Sequence, residues 1–183
     1  SKINYVKKIS ELKKLPSLIK NVLNDQDQVQ VIAKDFLQAK GAMFLGRGLS
    51  FPIALEGALK LKELSYLHAE GYPAGEMKHG PLALIEEGLP VVVLAPKDRY
   101  FEKSISNMQE VIARGGKVIL ITNESTNIIR ENVRFTLEIP KTDDCLTPFL
   151  MTIPLQLLAY HVASLKGYDI DKPRNLAKSV TVE

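Results

Sequence analysis

With 183 residues, 45% of them hydrophobic and 25% charged, the chain has the make-up of one ordinary globular domain with a single sizeable core. A net charge of +3 with no block of five like charges argues against nucleic acid, and the most apolar stretch, 149–165, is too interrupted by Thr152, Pro154, Gln156 and His161 to argue for a membrane span. The lone cysteine, Cys145, excludes an internal disulfide and fits a reducing, cytoplasmic setting, no signal peptide opens the chain, and Ser1 in place of Met reads as a processed chain or a fragment.

The first forty residues read as helices, with Ile9, Leu12, Leu15, Ile19, Val22 and Leu23 recurring at threes and fours. Pro16 is expected to open a new helix, and Asp27 to cap a further one that Gly41 ends. Ala42-Met43-Phe44-Leu45 follows as a short apolar strand, then Gly46-Arg47-Gly48 and a helix over about 50–67. Further strands are expected at 68–72, 90–94, 117–122 and 135–139. An amphipathic helix over about 100–114 turns Ile105, Met108, Val111 and Ile112 inward and stops at Gly115-Gly116. A last apolar helix, 149–166, ends at Gly167. Continuous apolar strands alternating with helices predict an α/β fold: a three-layer, doubly wound, five-stranded parallel sheet in the order 2-1-3-4-5. Any ligand site is then expected at the carboxyl ends of the strands, near the switch point between strands one and three. We divide the chain into N-terminal helices (1–40), the sheet domain (41–167) and a C-terminal tail (168–183).

Few residues carry chemistry by pattern alone. On the 50–67 helix, Glu56, Lys60 and Glu63 fall at i, i+4 and i+7 and share one stripe. Such a stripe is a solvated face, or a carboxylate and an ammonium at a site mouth, where a neighbour tunes a general base. His79 stands in the Gly- and Pro-rich segment Gly71-Tyr72-Pro73-Ala74-Gly75-Glu76-Met77-Lys78-His79-Gly80-Pro81, which is too irregular for sheet or plain helix. An exposed loop histidine is either surface decoration or a proton carrier at neutral pH. His68, read as ending a helix, and His161, on the apolar helix, are expected to be structural. The histidines and Cys145 form no ligand-spaced cluster, so we expect no metal and no cofactor. Gly46-Arg47-Gly48 fails as a dinucleotide fingerprint because Phe51 stands where the third glycine belongs. The loop Ala95-Pro96-Lys97-Asp98-Arg99 has no hydroxyl to cradle a phosphate, whereas the polar run 122–127 has several, and turn chemistry explains those equally. Lys178 lies in a tail that on composition alone would fray.

Four segments together resemble one family. They are Phe44-Leu45-Gly46-Arg47-Gly48, the run Pro52-Ile53-Ala54-Leu55-Glu56-Gly57-Ala58-Leu59-Lys60-Leu61-Lys62-Glu63, the Gly75-Glu76-Met77-Lys78-His79-Gly80-Pro81 loop, and the tail Asp171-Lys172-Pro173-Arg174-Asn175-Leu176-Ala177-Lys178-Ser179-Val180-Thr181-Val182-Glu183. In this order they look like the glutamine–fructose-6-phosphate aminotransferase (isomerizing) family, as does Pro154-Leu155-Gln156-Leu157-Leu158-Ala159-Tyr160-His161 ahead of the tail. The resemblance covers essentially the whole chain and implies the sugar isomerase (SIS) fold. The implied reaction makes glucosamine 6-phosphate from fructose 6-phosphate and glutamine-derived ammonia. It also implies an ordered tail in which Lys178 forms the Schiff base with the opened keto-sugar and Ala177 supplies a backbone contact. Glu63 would then move the proton between C1 and C2, with Lys60 assisting, and His79, entering from a neighbouring subunit, would help open the ring. The family's glutaminase half, with its N-terminal cysteine, and its first SIS subdomain, with a Ser/Thr-rich phosphate loop, have no counterpart here. The resemblance therefore covers the second SIS subdomain plus tail. Those missing parts are its expected partners, in a homodimer, and catalysis by the isolated chain is not expected. Two other readings stand beside it: a stand-alone SIS module that binds an amino-sugar phosphate without chemistry, and a sugar-phosphate isomerase or deglycase that uses no glutamine.

Overall fold

Two helices lead the chain, α1 (Lys2–Asn24) and α2 (Gln26–Ala33). Five strands follow: β1 (Gly41–Gly46), β2 (His68–Pro73), β3 (Pro90–Leu94), β4 (Lys117–Thr122) and β5 (Phe135–Glu138). Helix α3 (Ser50–Ser65) joins β1 to β2, α4 (Phe101–Ile112) joins β3 to β4, and α5 (Thr147–Leu165) closes the domain. This is a computed structural model; it describes residues 2–125 and 132–175, with side chains from Tyr5 onward. All strand pairs are parallel and the order is β2-β1-β3-β4-β5, as the alternation of apolar strands and helices predicts.

Both faces of the sheet are buried, which is why the strands read as unbroken apolar runs. Alternate residues serve opposite cores. Phe44, Val92, Leu94, Ile119 and Ile121 face α1, α2, α3 and α5, joining Ile32, Phe36, Leu61, Leu150 and Leu155. Met43, Leu45, Val91, Val93, Val118 and Leu120 face the other way, onto Met108 and Val111 of α4. Helices α3 and α5 pack closely because Gly57 has no side chain: a Cβ there would stand 2.9 Å from Leu155 Cδ1 and 2.9 Å from Phe44 Cδ1. Helix α5 is long and apolar enough by composition to cross a membrane, yet Leu150, Met151, Leu155, Leu158, Ala159 and Val162 place it as the central helix of the larger core.

Several boundaries differ from the sequence expectation. Pro16 lies inside α1 rather than opening a new helix. The hydrogen bond it cannot donate is lost, but Leu15 and Val22 on either side are buried in the larger core and hold the helix through the proline. Asp27 sits in the first turn of α2, not at its cap; Asp25 holds the cap position without a side-chain bond. Helix α2 ends at Ala33 and passes through a 3₁₀ turn, Lys34–Phe36, so Gly41 begins β1 instead of ending a helix. His68 begins β2 and is exposed; α3 has already stopped at Ser65, with Tyr66 as its left-handed cap.

Candidate functional site

The carboxyl ends of β1 and β3 frame a cleft of about 440 Å³ at the switch point where topology predicts one. Gly48, at φ +57, makes the turn between β1 and α3, and a Cβ there would press on the Tyr100 ring at 2.6 Å. Tyr100 in turn carries the guanidinium of Arg99 4.7 Å from its ring centre. The 95–99 loop offers backbone and charge but no hydroxyl. The polar run after β4 is committed to the scaffold: Asn123 Oδ1 accepts the Lys97 N–H at 2.7 Å, and Thr122 Oγ1 accepts the Glu124 N–H at 3.1 Å. Residues 126 and 127 of that run lie outside the described residues.

The stripe on α3 is elsewhere. Glu63 is thirteen residues beyond Ser50, where α3 leaves the cleft, and a helix rises about 20 Å over that length. Within it, the Lys60 ammonium donates to Glu63 Oε2 at 2.8 Å and lies 3.9 Å from Glu56 Oε1. All three side chains are about one-third exposed (32%, 28% and 34%), so the pair is open to solvent on one side and braced by the helix on the other. The hydrogen bond from Lys60 to Glu63 raises the lysine pKa above its ordinary value, against the opposing effect of burial, and the two carboxylates add to the rise. Lys60 is therefore a fixed positive charge at neutral pH, held between the Glu56 and Glu63 side chains.

The C-terminal segment returns to this same end of α3. Gly167, at φ +73, ends α5, and Asp169 Oδ1 accepts the N–H groups of Asp171 and Lys172 at 3.0 and 3.1 Å, folding the chain back. The Arg174 N–H then donates to the Tyr66 hydroxyl at 2.9 Å, and its guanidinium covers the Tyr66 ring at 4.0 Å. Tyr66 is three residues after Glu63. Ala177 and Lys178 lie outside the described residues.

His79 is at the other end of the sheet. It closes the 3₁₀ turn Ala74–His79, which follows the carboxyl end of β2, whereas Glu63 precedes the start of that strand. Six strand residues separate the two levels by about 20 Å. The imidazole is 75% exposed and its nearest carboxylate, Glu76, is 4.0 Å away. Within one chain, then, Lys60, Glu63 and the start of the tail come together, and His79 does not join them. Among the described residues no group of three or more His, Cys, Asp or Glu side chains could hold a metal ion. Sequence reasoning missed Tyr66 altogether; its signal was an aromatic residue where a helix end usually takes glycine.

The SIS domain family profile matches residues 35–166, most of the chain. The chain belongs to the SIS domain family. Its curated relatives in that family include the glutamine–fructose-6-phosphate aminotransferase (isomerizing) of Aquifex aeolicus strain VF5, 56% identical over 94% of this chain. That of Agrobacterium fabrum strain C58 is 53% identical over 96%. Among solved structures, the C-terminal domain of glucosamine-fructose-6-phosphate aminotransferase from Francisella tularensis superposes with a TM-score of 0.87 at 45% identity, matching 94% of this chain. The SIS chain described here spans 29% of the length of those two curated relatives and 48% of that C-terminal domain.

Proposed function

We propose that this chain is the lysine- and glutamate-bearing half of the isomerase site of a glutamine–fructose-6-phosphate aminotransferase, and that it works only with the remainder of such a protein. The observation that carries this reading is the meeting, at one end of α3, of the Lys60–Glu63 pair and the start of the tail, in a chain 56% identical to an enzyme of that name. The substrate class is a sugar phosphate, fructose 6-phosphate, and the product glucosamine 6-phosphate.

The chemistry asked of these residues balances without an oxidant. His79, reaching the site from a second subunit, assists ring opening to the ketose. The Lys178 amine adds to the C2 carbonyl and water leaves, giving an imine. Ammonia displaces the lysine and keeps the C2=N bond. Glu63 takes a proton from C1 while the imine nitrogen gains one, giving the enaminol. The C1 hydroxyl then gives up its proton as a proton is delivered to C2, which leaves an amine at C2 and an aldehyde at C1. Lys60 places its ammonium against Glu63 at the start of that transfer. Ala177 offers its backbone to the sugar, and the phosphate is anchored by the first SIS subdomain, since the 95–99 loop here lacks hydroxyls.

The test is chemical. In the complete gene product, borohydride added with fructose 6-phosphate is expected to add one sugar mass to the tail peptide containing Lys178. Glu63→Gln is expected to keep the fold and lower glucosamine 6-phosphate formation by roughly 10²–10⁴. Sugar labelling that survives Lys178→Ala would overturn the assignment.

A further inference from the structure

We propose that Tyr66 is a positioning residue, a latch that holds the C-terminal tail against the end of α3 carrying Lys60 and Glu63. The inference deepens the aminotransferase reading and rests on it for the identity of the reaction that the latch serves.

The argument starts from backbone. Tyr66 caps α3 at φ 57, ψ 15, donating its N–H to the Lys62 carbonyl at 3.2 Å. This is the left-handed position at which helices ordinarily take glycine, because any Cβ there is strained. A bulky aromatic at that position costs on the order of 1 kcal/mol, so the helix end by itself is better served by glycine. What the side chain contributes is contact with the tail. The ring lies 4.8 Å from the ring of Tyr168, one residue past Gly167 at the end of α5. Its other polar and π contacts go to Arg174: the hydroxyl accepts the backbone N–H at 2.9 Å, and the guanidinium lies 4.0 Å from the ring centre. One side chain thus receives two separate parts of the C-terminal segment, on either side of the turn that Asp169 makes.

The covalent chain converts this anchor into a constraint on chemistry. Lys178 follows Arg174 by four residues, so its Cα lies within about 14 Å of the anchored residue whatever its conformation. Glu63 precedes Tyr66 by three residues, an axial rise of about 4.5 Å. The latch thus sets the point from which the chain runs on to Lys178 at the end of α3 that carries Glu63, and shortening that search is the entropic part of catalysis by positioning.

The test uses the complete gene product and separates tethering from catalysis. In Tyr66→Gly, amide hydrogen exchange of the peptide containing Arg174 is expected to accelerate at least tenfold, while the melting temperature stays within about 3 °C, since the cap strain removed offsets lost packing. Tyr66→Phe, which keeps the ring and removes only the acceptor, is expected to give a smaller acceleration, about two- to tenfold. The turnover number for glucosamine 6-phosphate and the rate of borohydride-trapped imine should fall about 10- to 100-fold in Tyr66→Gly, with Tyr66→Phe between it and the wild type. Unchanged exchange in Tyr66→Gly overturns the latch. Faster exchange with unchanged imine formation overturns its positioning role, as does a loss of rate that only follows a loss of melting temperature. If the wild type itself neither traps nor converts fructose 6-phosphate, the aminotransferase reading is what has failed, and the exchange result alone then decides whether Tyr66 holds the tail.

Discussion

Lys60 and Glu63 form an ion pair that contributes little to stability. Their side chains are about one-third exposed, and an ion pair in that setting is worth well under about 1 kcal/mol after screening. Lys60→Met is therefore expected to leave the urea midpoint nearly unchanged while lowering isomerisation in the complete protein, and a large midpoint shift would show the pair to be structural. The raised pKa of Lys60 adds stability that is complete below the ordinary lysine value of 10.5 and is lost only as pH climbs through the higher folded value, so it plays no part near neutrality. His161 behaves in the opposite sense. Among the described residues its Nε2 has no hydrogen-bond partner, and burial lowers its pKa from 6.5, an effect that Asp27 partly opposes. The unfolded chain then binds a proton that the folded chain refuses, so stability present above about pH 6.5 falls as pH drops through that value. Thermal melts at pH 7.5 and 5.5 are expected to show a smaller acid-induced loss in His161→Gln than in the wild type; equal losses would assign the acid sensitivity to other groups.

At the scale of elements, the contact between α3 and α5 decides where the site residues stand. Helix α3 rests its Ala54, Ala58 and Leu61 face on the sheet, and Gly57 admits Leu155 from α5. Filling that contact must push the helices apart or force rotamers. Gly57→Val is expected to destabilise by about 1–3 kcal/mol through overpacking. Leu155→Ala, which empties the same contact, should cost about 2–5 kcal/mol. Both are readable as denaturant midpoints with unchanged m-values. Gly57→Val should further lower any isomerase activity by more than its stability loss explains, because α3 carries Lys60 and Glu63 on the turns that follow. Activity that tracks stability alone would show that the helix moves as a rigid body without disturbing the pair.

The whole molecule presents its proposed catalytic groups at two ends. Glu63, Lys60 and the tail anchor gather before the amino end of β2, and His79 stands past its carboxyl end. A site that uses both must draw them from two copies, and closed two-fold pairing is the commonest way to do so. Mixing His79→Ala with Lys178→Ala subunits of the complete protein is expected to restore one working site per heterodimer, since each defect then falls in a different site. A verified heterodimer with no activity would place His79 outside the shared chemistry. The described chain by itself is expected to bind fructose 6-phosphate weakly, because its 95–99 loop lacks the hydroxyls that anchor a phosphate. Micromolar binding measured calorimetrically on these 183 residues would favour a stand-alone binding module.

The sequence alone determined the sheet. Runs such as Val91-Val92-Val93 and Val118-Ile119-Leu120 have no polar face, as strands of a parallel sheet covered on both sides do, and their alternation with helices pointed to the doubly wound fold and its order 2-1-3-4-5. It also determined the Glu56–Lys60–Glu63 stripe, because a helix makes i, i+4 and i+7 neighbours regardless of what surrounds it. Pro16 and Asp27 depart from their local preferences because burial of Leu15 and Val22 outweighs a proline's tendency to open a helix, and because Asp25 and Asp27 offer equivalent caps whose choice depends on how α2 packs. Only the tertiary structure decided that the tail returns to α3, that Tyr66 receives it, and that His79 stands at the opposite end of β2 from Glu63. Those relations join residues about a hundred positions apart, such as Tyr66 and Arg174, or set two near neighbours in sequence at opposite ends of one strand. No local periodicity encodes either; the path of the backbone through the sheet does.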